Sequence, residues 1–412
     1  MNVKKERIAR DIEALAEFTA TPGQGVTRFS LTEEDREARE YIKKKMREAG
    51  LEVREDQAGN VIGRRAGSGD QKAELPAVML GSHFDSVRQG GRFDGTAGVV
   101  AALEVARVLE EQEITTDHPL EFVALIEEEG SRFGSGLYGS RAMTGRVARE
   151  ELEESYDEQG ISFAEALEDF GFPPEKVKEA RRSPEEIAVF LELHNELGPL
   201  LEAEDKEVGI VDKIVGITHL NVSVTGSPDH AGTTPMDMRR DPLAAVGHIF
   251  GRIEELALET GEGTVATVGN VDVSPGATNV IPGRVEFTVD IRSKNMEDVE
   301  NISSELTEIM DGICQQNSLE YEIEEMISVE PTGMSGEIID IMQDKAENAD
   351  ISCLTMDSGA GHDAMMMADI AKTGMIFVPS RDGQGHSPEE WTDMEDLAAG
   401  TELLFLTVTE IA

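Results

Sequence analysis

Cysteine is nearly absent from this chain of 412 residues, which holds only Cys314 and Cys353. Two cysteines cannot build a disulfide framework, and their scarcity favours a reducing compartment. No stretch reaches the roughly 18 uncharged apolar residues that a membrane span requires, and the amino-terminal stretch has no apolar signal core. We therefore expect a cytoplasmic protein that does not bind a membrane.

Basic residues are also scarce, since 37 Lys and Arg face 83 Asp and Glu, for a formal net charge of −46. A polyanion would be repelled by such a chain, which argues against nucleic acid as a partner. An acidic surface is typical of proteins that work in concentrated salt, where screening relieves self-repulsion. An ordinary acidic enzyme is the alternative, and the sequence leaves the salt requirement open.

The length exceeds what one hydrophobic core normally supports, so two domains are expected. Strands alternate with helices in residues 1–213 and continue in residues 330–412, which predicts a mainly parallel sheet with helices on both faces. Residues 214–329 follow the order β-α-β-β-α-β of a ferredoxin-like domain. The predicted fold is therefore an α/β domain with an inserted α+β domain.

Apolar periodicity gives the approximate positions of the individual elements. Strands are predicted at residues 51–55, 60–64, 77–80, 120–126, 188–193, 217–225, 264–273, 284–292, 319–327 and 374–378. Helices are predicted at residues 4–18, 33–49, 97–110, 242–258 and 297–316. Residues 146–182 are acidic and are also predicted to be helical.

Potential metal ligands follow several of the buried strands. Three of the predicted strands end in a histidine or an acidic residue, and a glycine-flanked aspartate follows the first of these three. Another histidine lies in a loop after the predicted strand at residues 374–378. Open α/β sheets bind their ligands at the carboxyl ends of their strands. The candidates are His83, Asp94, Glu129, His194 and His386. Imidazole and carboxylate without thiolate suit Zn²⁺, Mn²⁺, Co²⁺ or Ni²⁺.

Five side chains can hold two divalent ions if one carboxylate bridges them, and such a pair can activate water and polarise a carbonyl. Glu128 beside Glu129 is the expected general base, and Asp85 could hold the ring of His83. A histidine at a strand end is more often a satisfied polar residue, and an acidic triplet is usually a solvated face. Unpaired carboxylates directly after a buried strand are costly, however, which favours a functional site.

The remaining histidines carry a weaker signal. His118, His219 and His248 have no supporting neighbours in the sequence and are interpreted as structural or surface residues. His362 lies in a Gly-rich loop with no predicted strand directly ahead, so its signal is intermediate between that of a structural residue and that of a site residue.

Eight segments together carry a resemblance to a known family. They are Gly81–Val87, Gly90–Gly95, Glu128–Phe133, Glu192–His194, His230–Met236, Thr278–Gly283, Ser358–Asp363 and Gly385–Ser387. These segments resemble those of the amidase, hydantoinase/carbamoylase family of dinuclear-metal hydrolases, which includes N-carbamoyl-L-amino-acid hydrolases, β-ureidopropionases and allantoate amidohydrolases. The family is related to zinc exopeptidases and aminoacylases.

The resemblance implies a zinc-exopeptidase-like catalytic domain that binds two metal ions, most simply zinc, through the five ligands above. It implies that Asp94 bridges the ions, that Glu128 is the general base and that Asp85 orients His83. The inserted domain would serve in dimerisation or as a lid.

The resemblance also implies the substrate contacts. His230 would reach the active site of the neighbouring subunit and stabilise the oxyanion, which predicts a homodimer. Asn279 and Arg292 would hold a substrate carboxylate, since an arginine fork matches its geometry and charge; the alternative for Arg292 is a surface ion pair. Gly359 and Ala360 would add backbone contacts.

One departure weakens the substrate assignment, because Leu197 stands where the family usually has a glutamine that contacts substrate. The leading hypothesis is a hydrolase that converts N-carbamoyl-L-amino acids to amino acid, ammonia and carbon dioxide. Allantoate hydrolysis and aminoacylase- or dipeptidase-like cleavage are the alternatives. A metal-free binding protein on the same fold is a remote one, because the five ligands and Glu128 are all retained.

Overall fold

The computed structural model describes residues 2–68, 75–261 and 263–412. The chain forms two compact units. The first contains the residues up to Asp212 together with Met334–Ala412, and the second contains Lys213–Gly333. The predicted fold class is confirmed: a mixed α/β unit with a mostly parallel central sheet carries an inserted α+β unit.

The strands of the first unit form one sheet. Numbered along the whole chain, they are β1 (Glu52–Glu55), β2 (Val61–Arg65), β3 (Ala77–His83), β4 (Leu120–Leu125), β5 (Ile187–Asn195), β6 (Val208–Ile214), β14 (Cys353–Ser358) and β15 (Lys372–Val378). Their order is β1-β2-β4-β3-β5-β15-β6, with β14 paired to β6. The four central strands β4, β3, β5 and β15 run parallel, so their carboxyl ends meet at one edge.

Helices flank this sheet. They are α1 (Lys5–Ala16), α2 (Glu33–Glu48), α3 (Thr96–Glu111), α4 (Tyr138–Thr144), α5 (Arg149–Glu154), α6 (Phe163–Phe170), α7 (Leu200–Ala203), α10 (Gly336–Asn348), α11 (Asp363–Met367) and α12 (Met394–Ile411). Each residue of β3 and β4 is buried, as expected for strands covered on both faces.

Two glycines allow the close packing that positions the site. Gly81 in β3 has φ +152°, and a Cβ there would lie 2.0 Å from the carbonyl oxygen of Val123 in β4. Gly98 lets α3 approach β5, since its Cβ would lie 2.2 Å from the carbonyl oxygen of Leu193. The loop between β3 and α3 is therefore held directly at the end of the sheet.

The second unit contains a four-stranded antiparallel sheet covered on one face by two helices. Its elements are β7 (Gly216–Thr225), β8 (Asp229–His230), α8 (Pro242–Thr260), β9 (Val265–Ser274), β10 (Val280–Ile281), β11 (Arg284–Ser293), α9 (Met296–Asn317), β12 (Glu320–Val329) and β13 (Thr332–Gly333). The sheet order is β12-β7-β11-β9. Val222, Ile249, Phe287 and Ile302 are among the residues that fill the core between sheet and helices.

Some local predictions were wrong. A strand does lie ahead of His362, because β14 ends at Ser358; its half-buried, mixed-polarity residues give no apolar run. Residues 146–182 contain only the short helices α5 and α6 and a 3-10 helix at Pro174–Ala180.

No helix in the described part of the chain is long and apolar enough to cross a membrane. Both cysteines are free.

Candidate metal centre

Three buried side chains meet where β3 and β5 end. His83 closes β3, His194 lies near the end of β5, and Asp94 lies in the loop before α3. Oδ1 of Asp94 lies 3.2 Å from Nε2 of His194 and 3.5 Å from Nε2 of His83. The two Nε2 atoms are 3.4 Å apart. These atoms converge closely enough to share one cation.

A second group meets at the other oxygen of Asp94. Oδ2 lies 3.2 Å from Nε2 of His386, and this nitrogen lies 3.4 Å from Oε2 of Glu129. Glu129 follows β4 and His386 follows β15. The five predicted ligands therefore come from the ends of four adjacent parallel strands, and Asp94 belongs to both groups.

The residues present fit divalent cations. Each group offers imidazole nitrogen and carboxylate oxygen without thiolate, a donor set that suits zinc and its neighbours. Oε1 of Glu129 is buried without a hydrogen-bond partner, and the buried Oδ2 of Asp94 has Nε2 of His386 at 3.2 Å beside it. Buried carboxylate oxygens without partners are costly, and a cation would satisfy them.

Protonation equilibria reflect this crowding of charge. Burial, reinforced by the charge of Asp94, raises the pKa of Glu129 to about 8. Burial also raises the pKa of Glu128 well above its usual range, and the charge of Glu129 adds to the effect. The hydrogen bond to Asp94 raises the pKa of His386 to about 9. Protons and cations therefore compete for the same atoms.

The predicted base, Glu128, lies beside the first group, with Oε2 3.7 Å from Nε2 of His83. It belongs to neither group of converging ligand atoms. The carboxylate of Asp85 accepts the backbone N–H groups of Glu128 at 3.1 Å and Glu129 at 3.2 Å. Nδ1 of His83 lies 3.3 Å from the carbonyl oxygen of Asp85 and 3.6 Å from its Oδ1. Asp85 therefore contacts both His83, at the end of β3, and the turn that carries Glu128 and Glu129.

Two buried residues near the site were given no definite role in the sequence analysis. Glu192 accepts a hydrogen bond from Oγ of Ser82 at 2.6 Å and another from the backbone N–H of Ala364 at 2.8 Å. The ring of His362 lies 4.5 Å from that of His194, and burial lowers its pKa well below the usual range. Glu192 was detectable as a charge within an apolar strand, two residues before His194.

The loop after β14 carries the two predicted backbone contacts. Gly359 is exposed and Ala360 is half-buried. Oγ of Ser358 donates to the carbonyl oxygen of Ala360 at 2.9 Å, and Nε2 of His362 lies 3.0 Å from the same Oγ. Because His362 packs on His194, this loop lies near the first ligand group.

In the inserted unit, His230 and Asn279 lie on neighbouring segments. Both are exposed, and the carbonyl oxygen of Asn279 accepts the backbone N–H of Ala231 at 3.0 Å. Arg292 pairs with Asp290 at 2.9 and 3.0 Å, so it does make the ion pair considered as its alternative. Nε2 of His219 lies 2.8 Å from Oδ2 of Asp290, which gives this histidine a partner the sequence did not suggest.

Leu197 lies against the loop of His386. Its backbone has φ 57°, in the left-handed region, and its N–H donates to Oγ of Ser380 at 3.0 Å. A Cβ at Gly385 would lie 2.4 Å from Cδ2 of Leu197, so a larger residue there would force the Leu197 side chain to move. Leu197 is thus packed beside the loop that carries His386, one of the predicted metal ligands.

Comparison with known families and proteins shows which family the whole chain resembles. The chain matches the model of peptidase family M20/M25/M40 over residues 79–410. It is 44% identical over 399 residues to an N-carbamoyl-L-amino-acid amidohydrolase of Paenarthrobacter aurescens, covering 97% of this chain and 96% of that protein. It is 38% identical over 400 residues to an allantoate amidohydrolase of Bacillus subtilis (strain 168), covering 97% and 96%.

A solved structure is similar over almost the whole chain. It is an amidase of the hydantoinase/carbamoylase family from Burkholderia multivorans, with a TM-score of 0.91 and 35% identity. The match covers 99% of this chain and 98% of that one. The resemblance inferred from the sequence motifs is confirmed.

Proposed function

The chain belongs to peptidase family M20/M25/M40, and we propose that it is a metal-dependent amidohydrolase of N-carbamoyl-L-amino acids. The amidohydrolase names of its relatives support cleavage of a C–N bond in a linear amide. The observation that carries the proposal is the pair of ligand groups that share Asp94, with Glu128 beside them.

We propose two divalent ions per subunit, with zinc first and manganese, cobalt or nickel as alternatives. One would be held by His83, Asp94 and His194, and the other by Asp94, Glu129 and His386. Such ions supply Lewis-acid polarisation of a carbonyl and lower the pKa of water.

Glu128 acts as the general base. Burial raises its pKa, which makes its carboxylate a stronger proton acceptor, and it takes a proton from the attacking water. It passes this proton to the departing amine nitrogen when the C–N bond breaks. The products are the free amino acid and carbamate, and carbamate decomposes to ammonia and carbon dioxide.

The inserted unit contributes three further groups in this proposal, and the loop after β14 contributes the others. Asn279 and Arg292 hold the substrate carboxylate, and His230 stabilises the oxyanion from the second subunit of a homodimer. Backbone groups of Gly359 and Ala360 complete the substrate contacts. The two free cysteines fit a cytoplasmic location.

A substrate panel tests this function. The protein is stripped with chelator, reloaded separately with Zn²⁺, Mn²⁺, Co²⁺ or Ni²⁺, and offered N-carbamoyl, N-acetyl and allantoate substrates at low and high salt. We expect ammonia from N-carbamoyl-L-amino acids and none from their D forms. A Glu128→Gln preparation purified in parallel controls for contaminating activity. Absence of bound metal and of hydrolysis under every condition rejects the proposal.

An aminoacylase-like activity is the second candidate, favoured by Leu197. Its apolar side chain lies against Gly385, directly before His386, and offers no hydrogen bond to a ureido group. The same panel decides, because acyl-amino acids release a carboxylic acid and no ammonia. Allantoate hydrolysis also releases ammonia, but it is separated by the substrate consumed.

The role of His230 in a second subunit has its own test. Glu128→Ala and His230→Ala are each expected to be inactive. Mixing them under conditions of verified subunit exchange should restore about a quarter of the wild-type activity if exchange is statistical and each site draws on both subunits. No recovery after exchange contradicts the assignment in trans.

A further inference from the structure

Glu390 joins two ligand-bearing loops of the first unit. It lies four residues after His386, in the segment that leads into α12, and only 2% of its surface is exposed. Its Oε1 accepts the backbone N–H groups of Phe93 at 3.0 Å and Asp94 at 3.1 Å. One carboxylate oxygen therefore holds the backbone of the residue that both ligand groups share.

Neighbouring residues hold Glu390 in the position that allows this contact. A Cβ at Gly91 would lie 2.1 Å from Oε1 of Glu390, so a larger residue there would displace the carboxylate. The ring of Trp391 packs edge-on against Phe93, with centroids 5.5 Å apart. The guanidinium of Arg92 lies 5.8 Å from the centre of the Trp391 ring. Contacts on both sides of Glu390 thus fix one loop against the other.

The two ligand groups depend differently on this contact. His83 and His194 of the first group lie on β3 and β5, which pair directly in the sheet. His386 of the second group lies on a loop, and its side chain is 54% exposed. Its backbone also adopts φ 53°, in the left-handed region. The backbone N–H of Glu390 donates to the carbonyl oxygen of Ser387 at 3.2 Å, next to His386. The position of His386 therefore relies on loop contacts such as this one, while two of the three ligands of the first group are held by the sheet.

We infer that Glu390 is a positioning residue that sets the spacing between Asp94 and His386 and thereby tunes the affinity of the second cation. The inference rests on the proposed metal-dependent function. Residues that support metal ligands from outside typically change affinity by about 10- to 100-fold when they are replaced. Loss of Glu390 should weaken the group of Asp94, Glu129 and His386 selectively.

Three variants and a control test this role by metal content. Glu390→Ala removes the acceptor, Glu390→Gln keeps an oxygen for the two N–H groups, and Glu390→Asp keeps the charge but shortens the reach. The exposed neighbour Glu389→Ala is the matched control. Each protein is dialysed against buffered Zn²⁺ of graded concentration, and zinc per subunit is measured by mass spectrometry together with the thermal midpoint.

We expect Glu390→Ala to keep one tightly bound zinc and to bind the second at least tenfold more weakly. Glu390→Asp should also bind the second zinc more weakly than the wild type does, and it provides the test if the alanine variant does not fold. Glu390→Gln and Glu389→Ala should bind both ions nearly as the wild type does. The inference is overturned if the wild type binds two ions and the Glu390→Ala or Glu390→Asp variant binds both with unchanged affinity. It is also overturned if the variant loses both ions together. A wild type that binds no metal overturns the proposed function itself.

Discussion

Loading the metal centre should release protons, because its ligands are protonated near neutral pH in the protein alone. The pKa of His386 is raised to about 9 by its hydrogen bond to Asp94, and that of Glu129 to about 8 by burial. At pH 7 both groups are therefore mainly protonated. His83 and His194 also have raised pKa values. Cation binding should therefore release at least about two protons per subunit.

Isothermal titration calorimetry with Zn²⁺ in two weakly coordinating buffers of different ionisation enthalpy measures this number directly. The observed heat should change with the buffer enthalpy in proportion to the protons released. Because protons compete with the cation, apparent affinity should rise with pH, by about 100-fold per pH unit when two protons leave. The dependence should weaken above pH 8, as Glu129 loses its proton without help.

His386→Asn provides the matched variant, since asparagine carries no proton that must leave. Its proton release should be lower than that of the wild type by about one. Buffer-independent heats in the wild type, or an unchanged proton number in His386→Asn, would show that the ligand geometry does not raise the pKa values of these groups.

Three other results are expected. Glu128→Gln should lower kcat by about 1,000-fold and leave the metal content unchanged, since Glu128 belongs to neither ligand group; loss of metal would contradict its role as base. Gly81→Ala should destabilise the first unit by about 3 kcal/mol, because its Cβ would meet the carbonyl of Val123, whereas Gly336→Ala, with open space around it, should not lower the denaturation midpoint. Raising KCl from 0.1 to 2 M should raise the thermal midpoint by about 5 °C by screening the net charge of −46, and a lower midpoint would show that self-repulsion does not limit stability.

The site residues that could be predicted from the sequence are those that lie at the ends of single apolar strands. A long apolar run ending in His83 or His194 specifies both a buried strand and the edge where its last side chain lies. Parallel strands then bring these ends together whatever their separation along the chain. β14 lacks such a run and was missed, and with it the setting of His362. β6 was also missed, although its residues 208–211 are apolar and buried.

Contacts between distant segments could not be predicted. Glu390 and Asp94 are 296 residues apart, and nothing near either one specifies the hydrogen bond between them. The turn at Glu127 shows a different limit, since its φ of 52° is one that glycine favours, and a glutamate gives no sign of it. The metal-binding and catalytic roles of the site residues remain proposals, because they depend on chemistry that a fold alone does not supply.

The insertion of one unit into the other has a consequence for biosynthesis. All three residues of the first ligand group precede Lys213, while His386 follows the inserted unit. β15 pairs with β5 across that long interval, so the central sheet cannot be completed until the ribosome has passed Val378. The inserted unit is continuous in sequence, and domains generally fold as units during synthesis. We expect pulsed hydrogen exchange during refolding to show protection in β7 and β11 before β5 and β15.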